Sequence, residues 1–139
     1  MKKILIVDDN MFFAKTVSDS LPADKYKVVV AEDGEDGLNK LQSEKPDLVL
    51  LDILMPKING IEFLKILQSN REENKGELSV PIIITSNLSN MNKISEGVAL
   101  GVKGYIIKSD ENLQSIVSNI EQVLQSEENA RNKKTEKEK

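Results

Sequence analysis

The strongest constraint on this 139-residue chain is an alternation repeated five times: a short apolar run, then a segment whose apolar residues recur every three or four positions. The runs are Lys3–Val7, Lys27–Ala31, Leu48–Leu51, Pro81–Ile84 and Val102–Ile107. Their length and β-branched content predict strands. The periodic segments predict amphipathic helices. Met11–Leu21 repeats Phe13, Val17 and Leu21, Glu35–Ser43 carries Leu38 and Leu41, and Gly60–Gln68 carries Ile61, Leu64 and Leu67. Asn90–Leu100 presents Met91, Ile94 and Val98, and Asn112–Gln125 presents Leu113, Ile116, Val117, Ile120 and Leu124. Leu48-Val49-Leu50-Leu51 is apolar without interruption, as a central strand covered on both faces requires. Asn70–Ser79 is polar and reads as a loop. Residues 126–139 lose all apolar periodicity and read as a solvated, disordered tail.

Five βα units with short connections imply one α/β domain over residues 1–125, with a parallel sheet and helices on both faces. A doubly wound (βα)5 fold suits this count, with five strands in the order 2-1-3-4-5. Ligands of such sheets sit beyond the carboxyl ends of the strands.

Composition narrows the chemistry. The chain has no cysteine and no histidine, which excludes disulfides, thiol chemistry, a histidine metal site and a phosphohistidine of its own. The net charge is −4, and residues 126–139 hold four acids and five bases, so the body carries −5. An acidic body argues against direct nucleic-acid binding. No apolar run approaches the roughly 18 residues of a membrane span. The apolar stretch after Met1-Lys2-Lys3 ends at two aspartates, too soon for a signal peptide. A cytoplasmic protein is expected.

Four strand ends are chemically distinctive: Asp8-Asp9 after the first, Asp52 at the third, Thr85-Ser86 at the fourth and Lys108 at the fifth. Parallel strands put all four on one edge, with neighbours about 4.8 Å apart. Singly, each has an ordinary explanation. Asp8 or Asp9 is more often a helix cap than a metal ligand, Asp52 is as readily a turn residue, Ser86 a strand-end hydroxyl and Lys108 a solvated charge. Jointly these explanations fail, because three crowded carboxylates repel one another unless a hard cation such as Mg²⁺ neutralises them. An aspartate beside such a cation is a nucleophile for phosphoryl transfer. Asp52, centrally placed, is that nucleophile. Asp9 shares the metal with it, Asp8 either joins them through water or stays outside the metal's ligands, Lys108 adds a fixed positive charge, and Ser86 donates to a phosphoryl oxygen once it arrives.

Residues 2–125 resemble the receiver domain of two-component response regulators. The resemblance rests on Ile4-Leu5-Ile6-Val7-Asp8-Asp9-Asn10, on Asp52-Ile53-Leu54-Met55-Pro56-Lys57-Ile58-Asn59-Gly60, and on Ser86, five residues after Pro81 and 22 before Lys108. Tyr105, three before Lys108, falls at the family's rotating aromatic. The resemblance implies a flavodoxin-like fold of the chemotaxis-regulator kind, with Mg²⁺, or Mn²⁺ in its place, held by Asp8, Asp9, Asp52 and the Leu54 backbone carbonyl. It implies that Asp52 takes a phosphoryl group from a phosphohistidine on a sensor histidine kinase or histidine phosphotransfer protein. Ser86 and Tyr105 would then shift and remodel the helix 4–strand 5–helix 5 surface for a downstream effector, the protein being a monomer or a phosphorylation-dependent dimer. The implied protein is a signalling domain that catalyses its own phosphorylation and slow dephosphorylation rather than an enzyme acting on others.

Two departures stand out. Ser109 occupies the place where the family usually has proline, so a trans Lys108–Ser109 bond is expected, because cis before a non-proline costs about 2.5–4 kcal/mol. Asn87 succeeds the hydroxyl where Ala or Gly is common, and either lines the phosphoryl entrance or caps the next helix or loop. Leu54, Asn87 and Ser109 are therefore candidate modulators of phosphoryl lifetime. Two other readings are an aspartyl-phosphate phosphatase and a phosphorylation-independent binding module. The phosphatase lacks the second acid two residues after the nucleophile, where Leu54 stands. The complete acidic set counts against the binding module.

Overall fold

A computed structural model of the chain describes residues 1–73, 80–87, 91–109 and 112–137. It contains β1 (Lys2–Val7), α1 (Met11–Ser20), β2 (Tyr26–Ala31), α2 (Gly34–Glu44), β3 (Leu48–Asp52), α3 (Gly60–Glu73), β4 (Ile82–Ser86), α4 (Met91–Ala99), β5 (Gly104–Ile107) and α5 (Leu113–Lys137). All strand pairs are parallel and the sheet order is β2-β1-β3-β4-β5. This is the flavodoxin-like doubly wound fold that the alternation predicted. No described helix is long and apolar enough to cross a membrane.

Strand alternation splits the core into two layers. Leu5, Val7, Val49, Leu51, Ile82 and Ile84 face α3 and α4, where Phe63, Leu64 and Ile94 complete one cluster. Ile4, Ile6, Leu48, Leu50, Ile83 and Ile106 face α1 and α5, against Ala14, Val17, Ile116 and Ile120. All five residues of β3 are buried, as a strand covered on both faces must be.

Local chemistry sets the helix starts. Asn10 caps α1, its side chain accepting from the Phe13 N–H. Asn59 and Glu62 form a reciprocal capping box at α3, Glu62 N–H to Asn59 Oδ1 at 2.9 Å and Asn59 N–H to Glu62 Oε1 at 3.3 Å. At Gly60 an added Cβ would stand 2.6 Å from the Asp52 carbonyl oxygen, so only glycine lets α3 start this close to the end of β3.

Two expectations need correction. α3 continues through Glu73, so residues 70–73 are helical rather than loop; residues 74–79 of that expected loop lie outside the described residues, as does Asn90 at the expected start of α4. α5 runs to Lys137, so residues 126–137 continue a helix instead of forming a disordered tail, and residues 138–139 lie outside the described residues. Neither stretch carries an apolar stripe, but both are rich in residues such as Glu, Lys, Arg and Ala, whose intrinsic helix preference extends a helix that packing has already nucleated.

Candidate functional site

The carboxyl ends of β1, β3, β4 and β5 meet as the strand order requires. By alternation Asp8 and Asp52 continue the α1/α5 face of the sheet that Ile4, Ile6, Leu48 and Leu50 begin. Both are nearly fully buried, with 1% and 6% of their surface exposed, whereas Asp9 is exposed. One carboxylate oxygen of each of Asp8, Asp9 and Asp52 can be chosen so that all lie within 4.8 Å of one another. Asp8 Oδ1 accepts from the Asn10 N–H at 2.9 Å, and Asp52 Oδ1 from the Leu54 N–H at 3.4 Å.

Lys108 closes the site from the other side. Its Nζ lies 2.8 Å from Asp8 Oδ2 and 3.6 Å from Asp52 Oδ2. The Asp8 contact is a close ion pair on a fully buried carboxylate oxygen. The Lys108 N–H donates to the Ser86 carbonyl at 2.8 Å, which holds the end of β5 against β4. No peptide bond among the described residues is cis, so the Lys108–Ser109 bond is trans as expected.

Burial pushes the Asp52 carboxyl up from 3.8 to about 7, and the Asp8 charge adds to the rise; Lys108 and the Leu54 N–H hold it back. A nucleophilic carboxylate needs the opposite environment at neutral pH. One ammonium among three carboxylates leaves the cluster short of positive charge. The donor set is all oxygen, with one carboxylate oxygen from each of Asp8, Asp9 and Asp52 within 4.8 Å of the others. These residues fit a hard divalent cation.

The switch candidates Ser86 and Tyr105 share the α3/α4 face of the sheet, Tyr105 standing opposite Ile84, whereas Thr85 lies on the other face. Thr85, not Ser86, stands opposite Asp52 in the β3–β4 register, and it pairs with Ile106 on β5. Its buried Oγ1 has no hydrogen-bond partner among the described residues. Ser86, next along the strand, turns to the α3/α4 side, and its Oγ donates to the Asn87 carbonyl at 2.9 Å. Asn87 itself is exposed. Tyr105 is half-exposed on β5, and the Leu54 side chain is exposed beside the site.

One site residue escaped the sequence reading. The Phe13 ring, assigned there only to the apolar stripe of α1, lies under the Lys108 ammonium, with Nζ 4.5 Å from the ring centroid. Its recurrence four residues before Val17 marks it as a packing residue, and nothing in that spacing signals a contact with β5.

Comparison with known proteins matches residues 4–130 to the response regulator receiver domain. The chain belongs to this family. It is 37% identical over 108 residues to the alkaline phosphatase synthesis transcriptional regulatory protein PhoP of Bacillus subtilis, covering 77% of this chain and 42% of that protein. It is 36% identical over 110 residues to the chemotaxis protein CheY of Treponema pallidum, covering 76% of this chain and 72% of that one. Among solved structures, the CheY-like receiver domain protein from Methanospirillum hungatei superposes with a TM-score of 0.81 at 25% identity, over 94% of this chain and 98% of the other. The receiver thus spans less than half the length of PhoP and of the ycf27 regulators it also matches. It is a signalling domain of two-component systems, and its acidic cluster occupies the carboxyl edge of the sheet.

Proposed function

We propose that Asp52 accepts a phosphoryl group from a phosphohistidine on a sensor histidine kinase or histidine phosphotransfer protein. The observation that carries this reading is one buried carboxylate held between two acidic neighbours and one ammonium: Asp8 and Asp9 ligand atoms within 4.8 Å of Asp52 and Lys108 Nζ at 3.6 Å. An Asp52 oxygen attacks phosphorus in line, the P–N bond breaks with its electron pair passing to the imidazole nitrogen, and that nitrogen takes a proton from water. The donor histidine lies outside these 139 residues, which contain none.

Asp8, Asp9, Asp52 and the Leu54 carbonyl would hold Mg²⁺, or Mn²⁺ in its place. The bound cation supplies charge neutralisation for the acidic cluster and for the transferring phosphoryl oxygens. Lys108 contributes a second positive charge in a site shielded from water, where charges act more strongly than in bulk. Ser86 leaves the Asn87 carbonyl to donate to a phosphoryl oxygen, and Tyr105 turns inward from its half-exposed position. The α4–β5–α5 surface is thereby remodelled for a downstream effector, an exchange of contacts that exists only in the modified state. Leu54, Asn87 and Ser109 border this path and modulate how long the phosphoryl group persists.

Incubation with acetyl phosphate and Mg²⁺ tests the reading directly. The wild type should gain one phosphoryl group by intact mass, and Asp52→Asn none. Labelling of the variant to the wild-type extent would move the acceptor elsewhere, and an unlabelled wild type would overturn the reading.

A further inference from the structure

Lys108 has to keep a charged head inside the site on a long, flexible stem. It follows a four-residue edge strand, and Ser109 after it imposes no ring on the backbone. Ordering a lysine side chain loses rotamer freedom, so something must hold the ammonium there. The Asp8 and Asp52 carboxylates attract it. The face of Phe13, whose π-system carries negative charge density, also meets it. The Lys108 side chain is only 10% exposed, and a cation over a ring gains most where water is excluded.

The backbone that carries the ring is tied to Asp8. Asp8 Oδ1 accepts from the Asn10 N–H at 2.9 Å, and Asn10 Oδ1 accepts from the Phe13 N–H at 3.1 Å. Phe13 holds Lys108 at 4.5 Å, and Lys108 returns to Asp8 Oδ2 at 2.8 Å. The four residues close a circuit that aligns the first turn of α1 with the end of β5. A third carboxylate in place of the ring would compete with an incoming phosphoryl group for the ammonium. A neutral ring does not.

We propose that Phe13 is a positioning residue for phosphoryl transfer: its ring face holds the Lys108 ammonium over Asp52. This rests on Asp52 being the phosphoryl acceptor. The test compares initial rates of labelling by acetyl phosphate and Mg²⁺ in wild type, Phe13→Leu and Phe13→Tyr, and repeats the leucine change in a Lys108→Met background. Leucine keeps apolar packing and removes the ring face, so it should slow labelling about three- to tenfold. Tyrosine should restore the rate, and in Lys108→Met the leucine change should have no further effect.

Wild-type labelling of Phe13→Leu overturns the proposal, as does the same slowing in Lys108→Met, which would be a packing effect. Where Lys108→Met labels too slowly to compare, the Lys108 ε-methylene protons decide. Ring-current displacement in the wild type that disappears in Phe13→Leu supports the contact, and ordinary positions in the wild type overturn it. A wild type labelled on Asp52 with an indifferent Phe13 sinks the positioning role alone, whereas an unlabelled wild type sinks the acceptor reading beneath it.

Discussion

Asp52 couples the chemistry of the site to the stability of the fold. Its carboxyl rises from 3.8 to about 7 on folding, first through burial and then through Asp8. Between those two values the folded state binds more protons than the unfolded chain, so stability falls as pH rises through that window. One unit of displacement corresponds to about 1.36 kcal/mol. With divalent ions chelated, Asp52→Asn should stabilise the protein at pH 8 by on the order of 1–3 kcal/mol, the gain vanishing below about pH 4. Urea unfolding at both pH values measures it. Returning Mg²⁺ should stabilise the wild type, by binding only the folded state, and the variant less. Equal stabilities of the two proteins at pH 8 would mean that Asp52 carries no burial penalty. The titrating and charged members of this site were legible in the sequence because each ends a strand whose apolar run announces it. The register was not: Ser86 sits at the motif position, but the β3–β4 pairing sets Thr85 opposite Asp52. Phe13 stayed hidden because a helix stripe shows which face is apolar and not which neighbour it meets.

At the scale of elements, strands were read from the chain more securely than helix ends. A strand such as Leu48–Asp52 declares itself by continuous burial, whereas a helix with no apolar face, such as residues 126–137, leaves no periodic trace. Propensity and capping carry that information instead, as the Asn59–Glu62 box does at the start of α3. The junction of β3 and α3 is where element geometry reaches the chemistry. Gly60 donates its N–H to the Ile53 carbonyl at 2.8 Å, so α3 starts directly against the strand end that presents Asp52. A methyl group at Gly60 would meet both the Asp52 carbonyl oxygen at 2.6 Å and Ile53 Cα at 2.7 Å. Those atoms are backbone and can yield only by moving Asp52. Alanine normally favours a helix over glycine, but here Gly60→Ala should destabilise by about 1–3 kcal/mol and slow labelling by acetyl phosphate. Denaturant unfolding and the labelling rate check the two effects. A stabilised variant would show that the junction relaxes without cost.

For the whole molecule, the question is where the cooperative unit stops. The apolar stripe of α5 ends at Leu124, the last residue of the α1/α5 cluster. Beyond it α5 continues to Lys137, yet of residues 125–132 only Glu127 is partly buried, facing Lys103 with 3.5 Å between Nζ and Oε1. That lysine is half-exposed, and a pair of this kind contributes at most about 1 kcal/mol. The second half of α5 therefore draws its order from the packed half, and little flows back. A chain ending at Gln125 should unfold with the full-length free energy to within about 1 kcal/mol. It should label on Asp52 at the full-length rate, because no site residue lies beyond Ser109. Its mean helicity by circular dichroism should fall by the contribution of residues 126–137. The match to the receiver family reaches residue 130, so the alternative is equally definite. A loss above about 2 kcal/mol, several times the usual effect of a surface change, would place the end of the folding unit beyond Gln125 and make the distal turns part of the domain.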